Sequence, residues 1–202
     1  MKKKILSILS ILLLLISSLT VNANDNTKDP YSTATITVEN NETGEAITFP
    51  MEITEQETTT SRSANQAVEI TKTFEATVNI DQETGIVVQP RAGQTNTDVV
   101  NNWLASVSIT YNDDGSKAQL TNVSGYWSRY ASTPIELTNR SVGYGYILIT
   151  QSAHVDKYPT SNSFSYNTGF GKYAYGTSSF LGCDSTATVG SYTLRVECRK
   201  NY

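Results

Sequence analysis

Cysteine, histidine and proline are scarce in this chain, whose 202 residues hold two Cys, one His and five Pro. Two Cys and one His fall short of the four N or S donors of a structural zinc site, so no metal is expected. A lone His also leaves general acid–base chemistry without its commonest agent. Charge is sparse, at 17% of residues, and leans acidic, with 19 Asp and Glu against 15 Lys and Arg. That balance excludes nucleic acid as a partner, because phosphate binding needs clustered Lys and Arg. No apolar run follows the first 19 residues to serve as a membrane anchor.

The apolar run that is present opens the chain. Lys2, Lys3 and Lys4 precede Ile5–Leu19, and Val21-Asn22-Ala23 supplies a small-residue cleavage site. This is the three-part form of a secretory signal over 1–23, and the run is shorter than the ~20 residues of a spanning helix. The mature chain is expected to begin at Asn24, secreted, with no stable membrane anchor. Removing the signal leaves 12 basic against 19 acidic residues, a net charge of −7. The charge is uneven: 24–100 hold 13 acids and 4 bases, while 101–202 hold 6 and 8.

After Asn24 short alternating runs rich in Thr, Tyr, Val and Ser predict an all-β fold. Ala34, Ile36 and Val38 share one side of a first strand, and Ala46–Ile53 returns as an edge strand marked by Pro50. Residues 54–66 lack periodicity and are expected to form an exposed loop. The longest strand spans 68–80, with Val68, Ile70, Phe74, Ala76, Val78 and Ile80 on one side, interrupted only by Lys72. Ile86–Val88 can return as its partner. Breakers from Gln89 to Gln94 place a linker at 91–100, and Asp98–Leu104 could form one helical turn. Trp103, Ala105, Val107, Ile109 and Tyr111 then begin a second set of strands. The expected organisation is an acidic, β-rich segment over 24–90 (a small sheet or a pro-region), then an immunoglobulin-like two-sheet sandwich over 101–202.

The two cysteines close that second part. Cys183 and Cys198 are equidistant from Gly190-Ser191, so a two-residue hairpin sets them face to face and separates apolar Val189, Ala187, Leu194 and Val196 from polar Thr188, Thr186, Asp184 and Glu197. Gly at the first turn position suits a type II′ turn. In an oxidising compartment this spacing predicts a Cys183–Cys198 disulfide.

Few residues invite chemistry. His154 shares a strand face with Ser152 and Asp156, but same-face neighbours stand ~7 Å apart, so no catalytic residue is expected there. Asp113-Asp114 reads as turn chemistry, without the spaced oxygens of a calcium loop. Glu136, Asp156 and Asp184 are the carboxylates from which a glycosidase pair would have to be drawn. Gly143-Tyr144-Gly145 and Gly169-Phe170-Gly171 do not open helices, so no nucleotide cofactor is expected. Glycines beside aromatics suit strands that bend or approach closely.

The candidate binding set is aromatic: Tyr126, Trp127, Tyr130, Tyr144, Tyr146, Tyr173 and Tyr175. Eleven of the twelve tyrosines lie at or beyond position 111. Tyr and Trp give rigid contact area to sugars or protein partners. The expected function is that of a secreted, non-catalytic β-sandwich binding a protein or glycan outside the cell. The alternatives are a toxin- or bacteriocin-like effector with an acidic pro-segment cleaved near Arg62 or Arg91, and a cell-wall or glycan hydrolase.

Overall fold

Strands account for all the regular structure of the computed structural model, which describes residues 32–59, 68–81, 85–89, 102–130 and 136–202. The expected signal, the 91–100 linker, Arg62 and Arg91 lie outside these residues. Chain order gives β1 (Ser32–Asn40), β2 (Ala46–Pro50), β3 (Glu52–Thr59), β4 (Val68–Asp81), β5 (Gly85–Gln89), β6 (Asn102–Asp113) and β7 (Lys117–Tyr130). It continues with β8 (Leu137–Ile147), β9 (Ser152–Lys157), β10 (Ser163–Asn167), β11 (Tyr173–Ala174), β12 (Phe180–Val189) and β13 (Tyr192–Asn201).

Two antiparallel sheets pack face to face as a β-sandwich. Sheet A runs β2-β1-β13-β12-β8-β9, and sheet B runs β10-β7-β6-β4-β3, with β5 also pairing β4 and β11 pairing β7. This strand order does not establish the immunoglobulin-like arrangement expected of 101–202. Both sheets instead draw on both halves of the chain. β1 pairs along its whole length with β13, Ser32 facing Lys200 and Asn40 facing Tyr192. β4 pairs with β6 over twelve positions. The acidic N-terminal segment therefore shares one core with the rest, through Ile36, Val38, Phe74, Ala76, Val78 and Ile80.

The core follows from period-2 alternation, which sends every second side chain inward. From sheet A it receives Ile36, Val142, Leu181, Leu194 and Val196; from sheet B, Phe74, Trp103, Val107, Ile109 and Leu120. In β7 the alternation slips: Tyr111 faces Leu120 while Thr110 faces Asn122. The bulge inserts Thr121, so Leu120 and Val123 both point inward despite their odd spacing. Trp127 donates its indole N–H to Ser185 Oγ across the core at 3.2 Å.

Three local expectations differ from the structure. Residues 102–104 belong to strand β6, because Trp103 continues the inward series begun at Ala105. Thr54–Thr59, expected as loop, extend β3, where a charged edge strand needs only one partner, β4. Ala46–Ile53 is also not one strand: β2 pairs β1 in sheet A, and after the buried Met51 the chain enters sheet B as β3. Lys72 is buried on the core side, its ammonium donating to Ser32 Oγ at 3.0 Å.

Candidate functional site

The terminal hairpin has the expected register, with Cys183 facing Cys198, Asp184 facing Glu197 and Val189 facing Tyr192. Gly190 has φ 55°, and Ser191 keeps a negative φ, as a type II′ turn requires. Both cysteines are buried as thiols whose sulfurs lie 3.4 Å apart, beyond the ~2.05 Å of a bond. Contact with Cys198 and burial push the Cys183 thiol up well above its ordinary range.

The aromatic residues singled out by sequence do not share a surface. Trp127, Tyr144 and Tyr146 are buried between the sheets. Tyr144 stacks on Tyr166 with centroids 6.0 Å apart, and Tyr146 meets Phe170 edge-on at 5.0 Å and Tyr173 at 5.7 Å. These rings plug the core where β10 and β11 cover β8. Tyr175 stacks on Tyr202 at 3.8 Å and donates to Asp113 at 3.0 Å. Burial, then the Asp113 contact, raise its phenol to about 12. Tyr126 is exposed, but on the outer face of sheet B, where its hydroxyl donates to Glu75 at 2.9 Å. The side chain of Tyr130 lies outside the described residues.

Asp113 and Asp114 serve the β6–β7 turn. Asp114 accepts from the Lys117 and Ser116 amides at 2.7 and 3.0 Å and pairs with Lys172 at 2.9 Å. The Lys172 contact, then the turn amides, hold its carboxyl far below the usual carboxylate range. No cluster of His, Cys, Asp and Glu suited to a metal occurs among the described residues.

A concavity lies on the opposite side from Tyr126, on the outer face of sheet A. It starts from the alternation Gly143-Tyr144-Gly145-Tyr146 in β8. With both tyrosines buried, both glycines face out. Pairing β8 with β12 places Gly182 directly across from Gly145 and Asp184 across from Gly143. Three adjacent outward positions thus lack side chains, and they floor an open groove of about 580 Å³.

Its walls are chemically mixed. Phe180 and Ile147, also facing each other across β12 and β8, form an apolar end. Arg199 and Glu197 rise from β13, ion-paired to each other, with the Arg199 guanidinium 4.9 Å from the Phe180 ring centroid. From β9 come Ser152 and His154, facing Ile147 and Gly145. Asp184 closes the far end. Burial lifts its carboxyl above the usual range, against the pull of Arg195 and His154 and with the help of Glu197 and Asp156.

His154 Nε2 lies 2.9 Å from Asp156 Oδ1, so the two do meet. The ~7 Å spacing of same-face positions describes where the side chains start. Imidazole and carboxylate lean together along the edge strand and close that gap. Of the carboxylates considered from sequence, Asp184 lines the groove and Asp156 flanks it through His154. Glu136 is exposed just before β8 and belongs to no such grouping.

Sequence reasoning missed Gly182, Glu197, Arg199 and Phe180 as groove residues. Their signal was present in part, in the outward polar face of the terminal hairpin. The partner strand β8, which completes the floor, is set by long-range pairing. Comparison with family models, curated proteins and solved structures finds no significant match.

Proposed function

We propose that this chain is a secreted, non-catalytic β-sandwich protein that binds a surface glycan through the groove on sheet A. The observation that carries the reading is the hollow left by Gly143, Gly145 and Gly182, walled by carboxylates, a guanidinium, an imidazole and an aromatic ring. Its volume lies within the usual range of small-ligand sites. A sugar hydroxyl both donates and accepts, so one hydroxyl can donate to Asp184 or Glu197 while it accepts from Arg199. Charged partners make such bonds about twice as strong as neutral ones. A protein partner would instead call for a broad surface with aromatic anchors. The aromatic set here is largely inside and supports neither a protein nor a sugar contact, so the glycan reading rests on the groove alone.

Export follows from the signal-like residues 1–23, and an oxidising destination would join Cys183 to Cys198. Closing that hairpin loop would stabilise the fold by about 3 kcal/mol in the chain-entropy treatment.

The test is an array of cell-wall and cell-surface saccharides probed with the chain from Asn24 onward, alongside Gly143→Ala. A Cβ at Gly143 would lie 2.6 Å from Asp184 Oδ1 and 3.0 Å from His154 Cε1, both mobile side-chain atoms. The variant is expected to keep its fold and lose binding by about tenfold. An array that stays blank with the native chain, or binding unchanged in Gly143→Ala, would sink the proposal.

A further inference from the structure

The thiol pair and the groove are two sides of the same piece of sheet. Cys183 and Cys198 point into the core from β12 and β13, and their neighbours along each strand, Gly182 and Asp184, Glu197 and Arg199, face the groove. The backbones are in close contact at this point: a Cβ on Gly182 would lie 2.2 Å from the Cys198 carbonyl oxygen. Any change in the spacing of β12 and β13 at the cysteines therefore moves the groove floor against its Glu197–Arg199 wall.

We infer that Cys183 and Cys198 form a redox clasp beneath the groove: the bonded form fixes the groove in its binding shape, and the dithiol form leaves it slack. This rests on the glycan-binding reading and adds its regulation. In the closing step the two S–H bonds break and one S–S bond forms. Two protons and two electrons pass to an external disulfide, small-molecule or protein, which is cleaved to two thiols. Burial keeps both sulfurs from such an oxidant once the sandwich has closed. A protonated Cys183 is also a poor nucleophile. Oxidation thus belongs to the folding stage, before β12 and β13 are covered. Chain made in a reducing compartment folds to the slack form, and exported chain folds to the competent one.

The experiment refolds the chain from Asn24 onward from denaturant, once with reduced dithiothreitol and once with oxidised glutathione. Mass spectrometry after alkylation reads the thiols, and amide hydrogen exchange with NMR reads residues 143–145, 182–184, 197–199 and His154. The oxidised product is expected to lose both alkylation sites and to exchange more slowly at 182–184 and 197–199. Its Gly143, Gly145 and His154 resonances are expected to shift. It should bind array saccharides on the order of tenfold more tightly than the reduced form, as pre-organisation does. The Cys183→Ala/Cys198→Ala chain should match the reduced form under both conditions. Two free thiols after oxidative refolding would overturn the clasp, as would a formed bond that leaves groove resonances and exchange unchanged. If the groove responds to oxidation but neither form binds any saccharide, the clasp stands and the glycan reading fails.

Discussion

Replacing Gly182 with Ala tests whether the groove floor is set by backbone contact. The added Cβ would lie 2.2 Å from the Cys198 carbonyl oxygen, and a Cβ at Gly145 would lie 2.2 Å from that of Ala153. A relaxed carbon–oxygen contact is ~3.3 Å, so the strands must part by roughly 1 Å. At Gly182 the obstacle is the backbone of a strand held on its other side by β1. Over-packing of this kind costs about 1–3 kcal/mol, offset by the ~0.4–1 kcal/mol that Ala gains by restricting the unfolded chain. The expected net loss for Gly182→Ala is roughly 1–2 kcal/mol, or about 2–8 °C in Tm for a chain of this length. Gly143→Ala meets only side-chain atoms and should stay within about 0.5 kcal/mol of the native chain. Denaturant unfolding followed by circular dichroism and tryptophan fluorescence gives both numbers. A Gly182→Ala chain as stable as the native one, or a larger loss in Gly143→Ala, would refute the reasoning.

Three further outcomes are expected. Ser185→Ala removes the acceptor of the buried Trp127 indole N–H and should cost about 1–3 kcal/mol, seen as a lower urea midpoint at unchanged slope. Asp184 has a folded pKa raised by burial, so the native state binds its proton more tightly than the unfolded chain does. Its contribution to stability therefore falls as pH rises from the ordinary carboxylate range through the raised value, and Asp184→Asn should flatten that decline in urea titrations between pH 4 and pH 7, values spanning the carboxylate range. Tyr175, raised to about 12, favours the fold in its neutral form, so stability should fall as pH climbs above ~10, the free phenol value. Tyr175→Phe should lessen that alkaline loss, remove one late-titrating phenol from the ultraviolet absorbance titration, and cost about 1 kcal/mol at neutral pH through the lost Asp113 contact.

The terminal hairpin could be read residue by residue because one glycine turn and one strict alternation fix every facing pair. The sandwich architecture was legible for a similar reason, since Ile36, Phe74, Val107 and their neighbours keep period 2 for whole strands. Pairing between distant strands was not. Nothing local in Ala34–Val38 says that its partner is Leu194–Cys198, so a division of the chain near residue 91 looked natural from charge and breakers alone. The tyrosines show the limit of residue type as a guide to exposure. Gly143-Tyr144-Gly145-Tyr146 reads equally well with rings outward as with rings inward, and the choice depends on Tyr166, Phe170 and Tyr173 arriving over one face. Inward rings then make the glycines the surface, and the candidate site moves from the aromatics to the spaces between them. His154 and Asp156 teach a smaller lesson: backbone spacing bounds where side chains begin, while their length decides where they meet.

The pairing of β1 with β13 also bears on when this molecule can fold. Ser32 waits for Lys200, so a ribosome must deliver almost the whole described polypeptide before sheet A can close. Contacts so remote in sequence make for slow folding. A nascent chain of this kind keeps β1 without its main neighbour until β13 has been made.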